Sequence, residues 1–160
     1  MAQRKFKRLV LGDVVEIALP GGKFAYAQYV FNYTKPPVWG TLLRVLKGIY
    51  PRRQKDVAEL VDGEDQFPVF YPAARTLSLG LITIIGNAPV PLRFKKLPLF
   101  RACNTNFKTG VKTWWLWDGK RERYVGKLSP EHYDLPICQI IGHQLLVDRI
   151  ASGWSPRDEV

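Results

Sequence analysis

At 160 residues, with 46% hydrophobic and 24% charged side chains, the chain has the material for one domain with a core of its own, which excludes disorder over most of its length. Two cysteines exclude a disulfide framework, and no apolar run approaches a transmembrane helix, so a reduced, cytoplasmic protein with no membrane partner is expected. A formal net charge of +10 points to an anionic partner, nucleic acid or an acidic protein face, or else serves only to keep a basic surface solvated.

Residues 1–8 read as a polar, basic, flexible lead-in to a single domain spanning 1–160. The segment from Gly12 to Val30 has the pattern of a β-hairpin. Val15, Ile17 and Leu19 alternate with Val14, Glu16 and Ala18, and Pro20-Gly21-Gly22 supplies turn chemistry. On the return strand Phe24, Tyr26, Gln28 and Val30 share one face, with Ala25, Ala27 and Tyr29 on the other. Phe31 to Pro37 then reads as a loop, because Asn32, Pro36 and Pro37 stop the ladder. Val38 to Tyr50 is strand-like, with Gly40 marking a bulge or bend.

Lys47 to Lys55 is a basic connection, and 56–61 fits a helical turn or a strand equally well. Phe67 to Tyr71 predicts a strand that Pro68 confines to a sheet edge. Pro72 to Leu77 predicts a helical turn or loop, and Leu79 to Ile85 an apolar strand ended by Gly86 to Pro89. Val90–Phe94 and Pro98–Cys103 are further strand candidates flanking Arg93, Lys95 and Lys96. Thr113 to Trp117 is a strong strand signal, turned by Asp118-Gly119 into a return from Arg121 to Val125. Ser129-Pro130 predicts a helix start, and Gly142 to Ala151 the best helix, with Gly153 placed as its C-terminal cap. Many short strands and one C-terminal helix predict a mainly β, α+β fold. The architecture expected is a twisted antiparallel sheet or small partly open barrel, with that helix packed on it.

The inventory for catalysis is thin. Cys103, Cys138, His132 and His143 lack the local pairing of a structural zinc site, and no metal or other cofactor is expected. No nucleophile elbow, Walker loop or dinucleotide fingerprint is present. Cys138 and His143 would form a thiol–imidazole pair only if the fold joined them; its apolar neighbours otherwise make Cys138 a buried inert thiol. Basic groups interleaved with aromatic residues suit phosphate contact and base stacking, though no RNA-recognition, KH or helix-turn-helix signature accompanies them. Trp114, Trp115 and Trp117 alternate faces, so they should differ in exposure; Trp115 and its same-face neighbours read as core.

Two stretches together carry a resemblance. The Gly12-Asp13-Val14-Val15 start, the strand ending at Leu19-Pro20, the glycine turn and the return Phe24-Ala25-Tyr26-Ala27-Gln28 form the first. The Trp117-Asp118-Gly119 corner is the second. They resemble the N-terminal signature and a later feature of the immunity protein 26 family of bacterial polymorphic-toxin systems. The likeness covers about the first third of the chain. It implies a small, mainly β, cytoplasmic protein that neutralises a cognate toxin by binding it, without catalysis. Some family members are described as phosphotriesterases, which supplies a hydrolase alternative. Of the matching positions, Gly12 and Asp13 read as strand entry, and Tyr26 and Gln28 as polar tips on a surface face. One departure stands out: immunity proteins against nucleases are typically acidic, whereas this chain is basic. Either its toxin presents an acidic face, or the protein has a different job. The partner-binding residues expected are Tyr26, Gln28, Tyr29, Trp39 and Trp117 as anchors, with Arg52, Arg53 and Arg121 steering. A nucleic-acid-binding module is the alternative.

Overall fold

The structure is a computed structural model and describes residues 8–160. The expected lead-in therefore lies, apart from exposed Arg8, outside the described residues. Eight strands form two antiparallel sheets: β1 (Asp13–Leu19), β2 (Lys23–Tyr33), β3 (Gly40–Leu46), β4 (Asp65–Phe70) and β5 (Ile82–Asn87) in the order β4-β3-β2-β1-β5, and β6 (Phe100–Thr105), β7 (Lys112–Trp117) and β8 (Glu122–Gly126) in the order β6-β7-β8. The sheets do not close into a barrel. Three α-helices accompany them: α1 (Val57–Val61), α2 (Ala73–Ser78) and the C-terminal α3 (His143–Ser152). No helix among the described residues is long and apolar enough to cross a membrane.

The β1–β2 hairpin forms in the expected register, Val14 opposite Gln28 through Leu19 opposite Lys23. β4 is an edge strand, as Pro68 requires. The ambiguous 56–61 segment resolves as α1, because Asp56 caps it by accepting from the Glu59 backbone N–H at 3.1 Å. Four expectations need correction. Phe31 to Tyr33, expected in a loop, continue β2, because they pair with Leu42, Thr41 and Gly40 of β3. The apolar 79–85 stretch splits: Leu79 caps α2, and β5 begins at Ile82. The 90–94 stretch is a 3-10 turn (Leu92–Lys95), since Pro89 and Pro91 bring no N–H to a ladder and Pro91 presets the first turn. The helix start at Ser129 goes no further than a 3-10 turn (Pro130–His132) before Pro136.

Both faces of the larger sheet are covered. On one face Val15, Ile17, Ala25, Ala27, Leu43, Val45, Phe67 and Val69 pack under Leu146, Val147 and Ile150 of α3. This is the apolar face of α3, and Gly153 closes the helix in the left-handed conformation at φ 69°. Burial of a sheet face by one helix stripe is the main stabilising event here. On the opposite face α1 sits on Val14, Tyr26 and Leu46. Beside it an aromatic cluster joins the two sheets: Val30, Tyr33, Leu42 and Phe70 from the first meet Phe100 and Trp117 from the second, with Phe94 between. Phe70 and Phe100 stack at 5.1 Å between centroids.

Arg101 on β6 is wholly buried and donates to the carbonyls of Leu135, Tyr133, Pro156 and Glu159, while its guanidinium lies 4.7 Å from the Trp114 ring centre. It thereby ties the C-terminal segment to the smaller sheet. Trp114 and Leu116 point into this packing. Trp115, expected in the core, is instead partly exposed: it lies on the face of β7 opposite Trp114 and Leu116, and its ring is set edge-on against its cross-strand neighbour Tyr124, itself exposed.

Candidate functional site

The polar residues of the hairpin face are a buried network. Tyr26 and Gln28, expected as a surface face, are each 0% exposed. The physical reason is cover from distant sequence: α1 and the 88–93 segment lie over them. The Tyr26 hydroxyl donates to Glu16 Oε2 at 3.1 Å and accepts from the Gln54 backbone N–H at 2.7 Å. Burial, opposed in part by the Gln54 N–H, holds that phenol above its usual range. Gln28 Nε2 donates to the Ala88 and Gly12 carbonyls, and its Oε1 accepts from Arg44 Nε at 2.9 Å. Arg44 continues to Asp65 Oδ1 at 2.9 Å and to the Val61 carbonyl, and Arg93 meets Asp65 Oδ2 at 2.6 Å. Burial lowers the Arg44 guanidinium's proton affinity and the Asp65 charge restores part of it. Every partner in this chain belongs to the fold, so its role is to fix the sheet and its cover. Asp13 is likewise structural, receiving Val10 N–H and the Asn87 amide.

The other expected partner-binding residues fall into three groups. Tyr29 and Trp117 are buried, at 8% and 9% exposure, Tyr29 in the core under α3 and Trp117 in the aromatic cluster that joins the sheets. Arg52 and Arg53 are exposed on the β3–α1 connection, but Arg53 is already occupied, lying 5.1 Å from the Phe24 ring centre and 3.1 Å from Glu16 Oε1. Trp39 stacks on Phe70 and approaches Trp117 at 6.3 Å, which brings it to the same end of the molecule as Arg121 in the β7–β8 turn.

At that end the surface opens into a groove of about 520 Å³. Its lining comes from three separated segments: Phe31 to Lys35 at the end of β2, Lys95 to Leu97, and Asp118 to Lys120 in the β7–β8 turn. Four exposed lysines, Lys35, Lys95, Lys96 and Lys120, surround it against the single carboxylate of Asp118. The Asp118 Oδ1 accepts the backbone N–H groups of Lys120 and Arg121, each at 2.8 Å, and these bonds hold its carboxyl below the usual carboxylate range. Asp118 is thus a turn-former within a basic site.

The groove is rigidly backed. Tyr33 donates its hydroxyl to the Gly119 carbonyl at 3.0 Å and packs edge-on against Trp117 at 5.1 Å. Gly119, at φ 96°, is pressed against the 95–97 segment, where a Cβ would come within 2.8 Å of Leu97 Cδ1. Sequence reading picked out the Lys95-Lys96 and Lys120-Arg121 groups and the Asp118-Gly119 corner separately. It missed Tyr33 and Lys35, whose place in the groove depends on contacts far apart in the chain.

The thiols and histidines do not assemble into a reacting group. Cys138 packs against the aromatic cluster, and burial, with the Glu122 charge adding, pushes its thiol up to about 12. It stays protonated at neutral pH and is no nucleophile. His143 Nδ1 lies 2.8 Å from the Tyr71 hydroxyl, so its partner is Tyr71 and not Cys138. No group of three or more His, Cys, Asp or Glu placed to hold a metal occurs among the described residues. Phe107 is 98% exposed at the tip of the β6–β7 hairpin, at the far end of β7 from the groove. No family model, no curated protein and no solved structure matches the chain.

Proposed function

We propose that this protein is a non-catalytic, cytoplasmic immunity protein that binds a cognate toxin and neutralises it by occlusion. The observation that carries the proposal is the convergence of four lysines from three separated segments onto one preformed groove. Its walls are held by Tyr33, Gly119 and Leu97, so little ordering cost is left for the moment of binding. Lysines at the rim would speed encounter with an acidic face and select against basic surfaces. The likeness of the Gly12–Gln28 hairpin to the immunity protein 26 pattern supports the same reading, and Trp39 and Arg121 at the groove end extend the contact area. Co-expression with the toxin encoded beside it tests the proposal. Growth rescue with a co-purifying complex is expected, and failure to rescue from any neighbouring toxin would overturn it.

A nucleic-acid-binding module is the second reading, favoured by the same lysine spacing and by the net charge of +10. It requires binding to generic DNA or RNA that falls steeply as salt rises. Tight, sequence-independent retention of an oligonucleotide at physiological salt would put it first.

A further inference from the structure

We infer that the lysine groove is a binding site for an extended, carboxylate-rich protein segment, an aspartate- and glutamate-bearing strand or loop of the partner. The inference rests on the occlusion reading and specifies what enters the site. The charge is the first argument. Lys35, Lys95, Lys96 and Lys120 present compact, mobile point charges from both walls, and the one carboxylate present is tied up in its own turn.

The second argument separates carboxylates from a nucleic-acid strand. A single strand is held by phosphate contacts together with aromatic faces on which bases stack. The two aromatic rings that line this groove offer little such face. Tyr33 is 9% exposed, its ring set against Trp117 and its hydroxyl against Gly119, and Phe31 is half-buried against the aromatic cluster. What it does offer is charge along a channel.

The third argument is shape. β2 has eleven residues against seven in β1, and among the described residues the Gly12 N–H to Tyr29 carbonyl bond is the last from that side. Phe31 to Tyr33 continue beyond it and form one wall of the groove. An extended backbone lying beside this overhang would run past Lys35 at one end and Lys95, Lys96 and Lys120 along its length. The volume is in the range of pockets that take a drug-sized ligand, about the bulk of a few residues.

The test titrates the intact protein with a short glutamate-rich peptide and, separately, with a mixed-sequence single-stranded oligonucleotide. Binding is located by amide shift changes and measured at about 0.15 M salt, where surface charges more than a Debye length apart are screened. The expected result is saturable binding of the glutamate peptide, with shifts concentrated at Tyr33, Lys96, Gly119 and Lys120. Affinity should fall about tenfold or more in the Lys96→Gln, Lys120→Gln double variant. A charge-matched control, Lys23→Gln with Lys55→Gln, removes the same charge far from the groove and should leave affinity nearly unchanged. Equal weakening by both pairs would mean that binding follows net charge, and would overturn the inference. Groove shifts caused by the oligonucleotide and not by the peptide would overturn it in favour of nucleic acid, and no groove shift with either would overturn it outright. The toxin rescue keeps the two proposals apart. Rescue without peptide binding removes the groove assignment alone, whereas peptide binding without rescue removes the occlusion reading alone.

Discussion

Arg44 and Gln28 face each other across β3 and β2, and the Arg44 Nε donates to the Gln28 Oε1 at 2.9 Å inside a face with almost no solvent access. Through this bond the amide that secures the Ala88 and Gly12 carbonyls is coupled to the guanidinium that secures Val61 and Asp65. Arg44→Met should cost about 3 kcal/mol, because it leaves the Gln28 oxygen, the Val61 carbonyl and half of Asp65 without donors. Gln28→Leu should cost a similar amount. The double variant should be less destabilised than the sum by about 1–2 kcal/mol, since each single change already strands the other's partner. Urea denaturation of the four proteins measures this, and simple additivity would refute the coupling.

Tyr26→Phe keeps the ring and removes the hydroxyl that bridges Glu16 and the Gln54 N–H. A loss of about 1–2 kcal/mol is expected, from one stranded backbone donor and a lost bond to a carboxylate. Partner affinity should not change, because Tyr26 has no exposed surface. A variant that folds normally yet loses its partner would contradict the buried placement.

Arg101→Met should be the most damaging single change among the groups considered. It removes the donor for four carbonyls of the 133–159 segment and the cation stacked on Trp114. A loss of about 4 kcal/mol or more is expected, with the C-terminal segment loosening first. Hydrogen exchange should then speed at the Cys138 and Arg101 amides, which the native structure pairs with Arg101 O and Pro136 O.

The local chemistry of the chain made much of the fold legible. Pro20-Gly21-Gly22 placed the hairpin turn, Pro68 placed β4 at an edge, and Gly153 placed the end of α3. Each of these residues acts through its own backbone, so no distant partner is needed to interpret it. Face assignment failed where it depended on cover. The alternation of Tyr26 and Gln28 correctly put them on one side, but only α1 and the 88–93 segment decide that this side is interior. The groove was hidden for the same reason. Lys35, Lys95 and Lys120 look like unrelated surface charges until the Tyr33–Gly119 bond and the Gly119–Leu97 contact bring their segments together.

His143 provides a signal at mildly acid pH. Burial lowers its proton affinity in the folded chain, while the unfolded chain binds a proton near the ordinary value of about 6.5. The unfolded state therefore takes up protons first, and stability should drop as pH falls through about 6.5. His143→Gln should flatten that slope. An unchanged slope in the variant would assign the acid sensitivity to other groups.

Cys138 provides the opposite signal at alkaline pH. Its thiol is raised to about 12 in the folded chain, against an unfolded value of about 8.5. Between these values the unfolded thiol loses its proton and the folded one keeps it, so the contribution is intact below about pH 8 and shrinks as pH rises. The stability advantage of the wild-type chain over Cys138→Ala should therefore narrow steadily above about pH 9, a difference that cancels the titration of lysines and tyrosines common to both. The same burial makes a chemical prediction. Alkylation of Cys138 at neutral pH should be slow in the native protein and fast in urea, because only unfolding supplies both access and thiolate. Rapid native-state alkylation at Cys138 would show a thiolate that this packing does not permit, and would reopen the case for a reacting cysteine.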